Sequence, residues 1–97
     1  MTITKKQPAP ALEIALDGRL DTMTAPELEA ELKASLPAAD TLVLDFSGLD
    51  YISSAGLRVL LSAHKIMAPK GMTITHVNEI VQEVFDVTGF ADILTIE

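Results

Sequence analysis

The sequence predicts an α/β fold: a small mixed β-sheet with helices packed against it, in the order ββαβαβα followed by a short C-terminal element. Three observations lead there. Short runs of strand character alternate with stretches of helical spacing. Strand–helix–strand units imply parallel neighbours joined by right-handed crossovers, while the first two strands lie close enough in the chain to pair antiparallel. Finally, 97 residues, 48% of them hydrophobic, suffice for one core and not two, so residues 1–97 are read as a single domain.

The elements follow in order. Residues 2–4 form a short edge strand, and Pro8 and Pro10 interrupt regular structure. Leu12, Ile14 and Leu16 alternate as a half-buried strand does. Asp17-Gly18 is a turn signal. Thr24 and Glu27 fit a capping box, with Pro26 early in the helix where its missing N–H costs nothing. That helix runs to about Leu36, buries Leu28, Leu32 and Leu36, and turns Glu27, Glu29 and Glu31 outward; Pro37 ends it. Leu42-Val43-Leu44 reads as a buried central strand. A strongly apolar helix covers residues 57–67, and Pro69-Lys70-Gly71 breaks the chain. Residues 72–76 alternate again. Asn78 is a good N-cap, Val77, Val81, Val84, Phe85 and Thr88 follow helical spacing, and Gly89 suits a helix C-terminus. Residues 94–96 form a last short strand or helix. The expected core comprises Leu16, Leu28, Leu32, Leu42, Leu44, Leu57, Leu61, Ile74, Val81 and Phe85.

Composition limits the function. There is no cysteine, hence no disulfide and no thiolate chemistry. No tryptophan and few other aromatics leave no platform for stacking bases. A net charge of −7 argues against nucleic acid or an anionic membrane surface as partner. Lys5 and Lys6 are followed by Gln7-Pro8-Ala9-Pro10 and not by an apolar segment, so no signal peptide is expected. No apolar run reaches membrane-spanning length. The expected location is cytoplasmic.

The informative stretch lies between the central strand and the central helix, where Asp45, Ser47, Asp50, Ser53 and Ser54 precede Gly56. A helix N-terminus has unpartnered N–H groups and a partial positive charge, and so favours an anion. Along the helix, Leu57, Leu60, Leu61 and His64 share a face that Val59, Ala63 and Ile66 widen. Arg58, Ser62 and Lys65 form a polar strip, and one turn backward that strip reaches Ser54, which should face solvent. Ser53 is then the N-cap. Gly56 costs about 1 kcal/mol relative to alanine in a helix, which implies close access to this backbone or tight packing around it. Two readings of the serines stand: both only cap the helix, or one carries a phosphate.

The run from Asp45 through Ser53-Ser54-Ala55-Gly56-Leu57 resembles the signature of the STAS family, and more narrowly that of free-standing bacterial anti-sigma factor antagonists. Gly18-Arg19-Leu20-Asp21 with Ala25 and Leu28, and Thr88-Gly89-Phe90, are similar to the family's flanking segments. The resemblance implies a STAS-like fold and a partner switch. A GHKL-type anti-sigma factor that is also a serine kinase binds the unphosphorylated protein, phosphorylation releases it, and a PP2C-type phosphatase resets it. The common pattern has an acidic residue and two hydroxyl residues before Gly-Leu. Here those places hold Ser53, Ser54 and Ala55, so the usual acceptor position lacks a hydroxyl. By resemblance the acceptor is then Ser54, with Ser53 second, and the partner surface comprises Asp21, Ser53, Ser54, Ala55, Gly56, Leu57 and Arg58. No cofactor and no metal are implied.

Three rival readings exist. An enzyme would use Asp17, Asp21, Asp45 or Asp50, but no nucleophile–histidine pattern or phosphate loop accompanies them, and His64 and His76 are isolated. A receiver domain would be phosphorylated on Asp45, yet the acidic cluster that chemistry needs is poorly placed. A scaffold or ligand-binding STAS subunit that is never phosphorylated is compatible with Ala55.

Overall fold

The computed structural model describes every residue from Met1 to Glu97. Five strands form one sheet in sequential order: β1 (Thr2–Gln7), β2 (Ala11–Leu20), β3 (Thr41–Ile52), β4 (Met72–Thr75) and β5 (Thr95–Ile96). β1 pairs antiparallel with β2, and every later pairing is parallel. Helices α1 (Ala25–Ser35), α2 (Ser54–Met67) and α3 (Glu79–Thr88) make the crossovers, with short 3₁₀ turns at Leu36–Ala38 and Phe90–Asp92. This is the expected mixed α/β architecture, and the C-terminal element is a strand.

One cluster of 24 buried residues joins Leu12, Ile14, Leu16, Leu42, Leu44 and Ile74 of the sheet to Leu28 and Leu32 of α1, Leu57 and Leu60 of α2, and Val81 and Phe85 of α3. Phe85 meets Phe46 of β3 with ring centroids 6.4 Å apart. Asn78 fixes the start of α3: its Oδ1 accepts the Val81 N–H at 2.8 Å, and its Nδ2 donates to the Leu49 carbonyl at 2.8 Å. Gly89 closes the helix in the left-handed region at φ +81°.

Several expectations are corrected. Asp17-Gly18 is no turn; β2 continues to Leu20, with Gly18 at φ +103°. The β2–β3 register shifts between Ala15 and Asp17 and again between Gly18 and Arg19, and each time β3 carries the extra residue. Glycine permits this irregular strand as readily as a turn, and the dipeptide alone does not separate the two. β3 likewise runs through Asp45, Ser47 and Asp50 to Ile52, where a loop had been expected. The Thr24–Glu27 capping box does not form, because Thr24 has helical backbone angles and makes no side-chain cap bond. On α2 the buried stripe is Gly56, Leu57, Val59, Leu60, Ala63 and Met67. It is turned toward Val59 and Ala63 because α1 lies on that side, so Leu61 and His64 are half-buried and Ile66 is exposed. β4 stops at Thr75 because His76 takes a left-handed conformation, φ +58°.

On the sheet, Asp45 is almost wholly buried. Its Oδ2 accepts from Lys6 Nζ at 2.9 Å, its Oδ1 accepts the Ser47 N–H at 2.9 Å, and His76 Nδ1 lies 3.3 Å from Oδ1. The Lys6 ammonium, seconded by the Ser47 amide, outweighs burial and holds the carboxyl down at about 2. A carboxyl depressed on folding adds stability above its unfolded pKa and loses it as pH falls through the folded value. Lys6→Met is therefore expected to lower stability at pH 7, because it removes the ammonium that offsets burial of the Asp45 carboxylate. The difference from the parent protein should shrink as pH falls from about 4 toward 2. Urea unfolding at pH 7, 4 and 3 measures it, and a pH-independent difference would assign the effect to Lys6 packing instead.

Candidate functional site

Parallel pairing places Leu20 of β2 beside Ile52 of β3, so both strands end at the same edge of the sheet. The Ser53 N–H donates to the Leu20 carbonyl at 2.9 Å and extends the pairing by one residue. The α1 entry loop and the α2 N-terminus thus emerge side by side, although Asp21 and Ser54 are far apart in sequence. In open parallel sheets this carboxyl edge is where binding sites gather.

Ser53 has extended backbone angles, φ −102° and ψ 176°, and its Oγ accepts the Gly56 N–H at 3.4 Å. It is the N-cap, as its position predicts. Ser53 is half-buried, whereas Ser54, the first residue of α2, is exposed. Arg58, Ser62 and Lys65 are exposed on the same helix, and Arg58 enters no ion pair. Ala55 is half-buried. Gly56 and Leu57 are buried, so they shape this surface from beneath.

Gly56 answers the question its helix cost raised. A Cβ there would lie 2.7 Å from Leu20 Cγ and 2.9 Å from Ile52 Cγ1, both on fully packed side chains. The glycine lets α2 start directly against the ends of β2 and β3. Gly56→Ala gains helix propensity but overpacks this contact. The expected net loss is about 1–3 kcal/mol in chemical denaturation. An unchanged or raised stability would show that Leu20 and Ile52 yield without cost.

Asp21 builds the neighbouring loop. Its Oδ1 accepts the Met23 N–H at 3.0 Å and the Thr24 N–H at 3.1 Å, and its carbonyl accepts from Ala25 at 2.8 Å. The Thr24 hydroxyl donates to the Arg19 carbonyl at 2.7 Å and accepts the Asp21 N–H at 2.9 Å. Asp21 therefore orders the turn ahead of α1 and does not replace the missing Thr24 side-chain cap: the Glu27 N–H donates to the Thr24 backbone carbonyl at 3.0 Å instead. Partial burial pushes the Asp21 carboxyl up, but the Thr24 and Met23 amides, the Thr24 hydroxyl and Arg19 outweigh it and hold it below the usual value. Arg19 stacks 4.3 Å over the Tyr51 ring, as their register partnership allows. Sequence reasoning missed this pair, and only the register reveals it. It also missed Met23, which stands 84% exposed at the loop tip.

Between the helices runs a furrow. Its upper part, about 250 Å³, is lined by Thr22, Ala25, Pro26 and Glu29 from the α1 side and by Ala55, Arg58, Val59 and Ser62 from α2. No group of three or more His, Cys, Asp or Glu side chains is arranged to hold a metal ion, and Asp45 is already engaged by Lys6. No helix is long and apolar enough to cross a membrane.

An exposed serine at a helix start thus stands beside the Asp21 loop at one edge of a mixed five-stranded sheet. A family model described as Mlab, STAS domain, matches residues 3–95, and the chain belongs to the STAS domain family. Over 84 residues it is 40% identical to BtrV of Bordetella bronchiseptica, a candidate anti-sigma factor antagonist, covering 84% of this chain and 72% of that one. It is 24% identical over 98 residues to the anti-sigma-B factor antagonist of Bacillus subtilis, covering 99% and 90%. Among solved structures, an anti-sigma factor antagonist from Mycobacterium paratuberculosis superposes with a TM-score of 0.87 at 21% identity, covering 98% of this chain and 83% of that one. The antagonist SpoIIAA superposes at 0.83 in its unphosphorylated form (17% identity, 99% and 88% covered) and at 0.75 in its phosphorylated form (16%, 99% and 91%). These structures share the fold.

Proposed function

We propose that this protein is an anti-sigma factor antagonist that switches partners by phosphorylation of Ser54. Unphosphorylated, it binds a GHKL-type anti-sigma factor that is also a serine kinase, through the edge formed by Asp21, Met23, Ser53, Ser54, Ala55 and Arg58. Phosphorylation releases it, and a PP2C-type phosphatase restores binding. The observation that carries this reading is the exposed Ser54 hydroxyl at the first position of α2, with Ser53 already occupied as the cap. The names of the relatives give the partner class, and the shared fold of both SpoIIAA forms is compatible with a switch that leaves the domain folded.

In the proposed reaction the Ser54 Oγ attacks the γ-phosphorus of ATP. A new O–P bond forms, the bond to ADP breaks, and the hydroxyl proton passes to a base on the kinase, which also holds Mg²⁺. This chain is substrate and not catalyst. The product gains about −1.5 to −2 charge. The helix N-terminus tolerates that charge, and Arg58 stands one turn on to pair with it. Disruption then falls on the partner's surface, through bulk and repulsion.

Mass spectrometry after incubation with the cognate kinase, ATP and Mg²⁺ tests the proposal. One phosphate is expected on Ser54, with Ser53 a minor site. Phosphate on neither serine would favour a second reading, a non-phosphorylated STAS subunit of a larger complex. Ala55 at the usual acceptor position favours that alternative.

A further inference from the structure

A second surface, on α3, is independent of the Ser54 reading. Ile80 is 61% and Val87 80% exposed, and with half-buried Val84 they form a stripe at helical spacing. The three residues, with Glu83 and Thr88, line a shallow depression of about 310 Å³. The stripe runs roughly 10 Å along the helix. Exposed β-branched residues do nothing for the helix itself: they are weaker helix formers than Ala, Glu or Lys and gain nothing from burial here. Val81 and Phe85 already anchor α3 in the core, so the outer stripe is not needed to hold it.

Charge limits what this stripe meets. Glu79, Glu83 and Asp86 lie on the same helix, and Asp92 and Glu97 follow. Residues 71–97 contain no Lys or Arg, so this part of the chain carries five of the seven net negative charges. The only side-chain hydrogen bond a carboxylate makes on α3 is Asp86 accepting from Gln82 at 3.0 Å. None of these acids has a salt-bridge partner. A second copy of the chain would bring like charges together, and an anionic lipid surface would be repelled.

We propose that the Ile80–Val84–Val87 face docks a basic amphipathic helix of a partner protein. Apolar side chains of that helix fill the depression, and its Lys or Arg flanks meet Glu79, Glu83 and Asp86. The lining of this depression shares no residue with the Ser54 edge.

The test titrates ¹⁵N-labelled protein with a synthetic helical Leu/Lys peptide of about 14 residues and with its Leu/Glu counterpart. The Leu/Lys peptide is expected to saturate, with amide shifts centred on residues 79–88, and the Leu/Glu peptide to cause none. The double variant Ile80→Ser, Val87→Ser should weaken binding by about tenfold or more. Both positions are solvent-facing, so its spectrum should otherwise match the parent's. Shifts centred on the α1–α2 furrow or the Ser54 edge would overturn the proposal, as would equal affinity in the double variant. Sedimentation showing a dimer that the double variant disperses would assign the face to self-association instead. Binding to phosphatidylcholine vesicles that the variant abolishes would assign it to a membrane.

Discussion

Ser54→Asp is expected to weaken binding to the cognate anti-sigma factor by about tenfold or more, because a charge introduced at the exposed start of α2 faces the partner directly. Ser54→Ala should bind about as well as the parent but fail to be released when ATP and Mg²⁺ are supplied. The contrast matters more than either value. Both changes remove the hydroxyl, so a loss of affinity common to both would point to a lost contact and not to charge. The fold should survive both substitutions, since Ser53 and not Ser54 makes the cap bond to Gly56. Ser53→Ala, by comparison, should cost about 1 kcal/mol of stability. Titration calorimetry with and without ATP separates these outcomes. If every Ser54 variant binds alike and none is released differently, the switch is wrong.

Leu44→Ala should be the most destabilising single change discussed, with a loss of about 2–5 kcal/mol. Leu44 is fully buried in β3, between Ile14 of β2 and Ile74 of β4 in register. A side chain walled by strands on both sides leaves a cavity that cannot easily collapse. Domains of this size are marginally stable, so the variant would approach or cross the unfolding threshold. Denaturant unfolding with an unchanged m-value gives the loss directly. A loss well below 1 kcal/mol would mean that β3 is not the centre of the sheet.

The amino-acid sequence by itself determined the element order, most of the core, the Ser53 and Asn78 caps, the Gly89 helix end and the exposed strip of α2. These depend on interactions within a few residues, where period and capping chemistry are written in the local chain. The same sequence misread Asp17-Gly18 as a turn and ended the central strand too early, because a glycine dipeptide marks unusual backbone without saying whether a partner strand continues beside it. Only the tertiary structure decided that β2 and β3 run on together, with two register shifts, to a common edge. That pairing joins residues about thirty positions apart and brings Arg19 to Tyr51, Leu20 to Gly56, and the Asp21 loop to the start of α2. The packing of α1 likewise turned the buried stripe of α2 away from Leu61. Which serine is exposed was legible in local spacing, but what stands beside it was fixed by the pairing of two parallel strands.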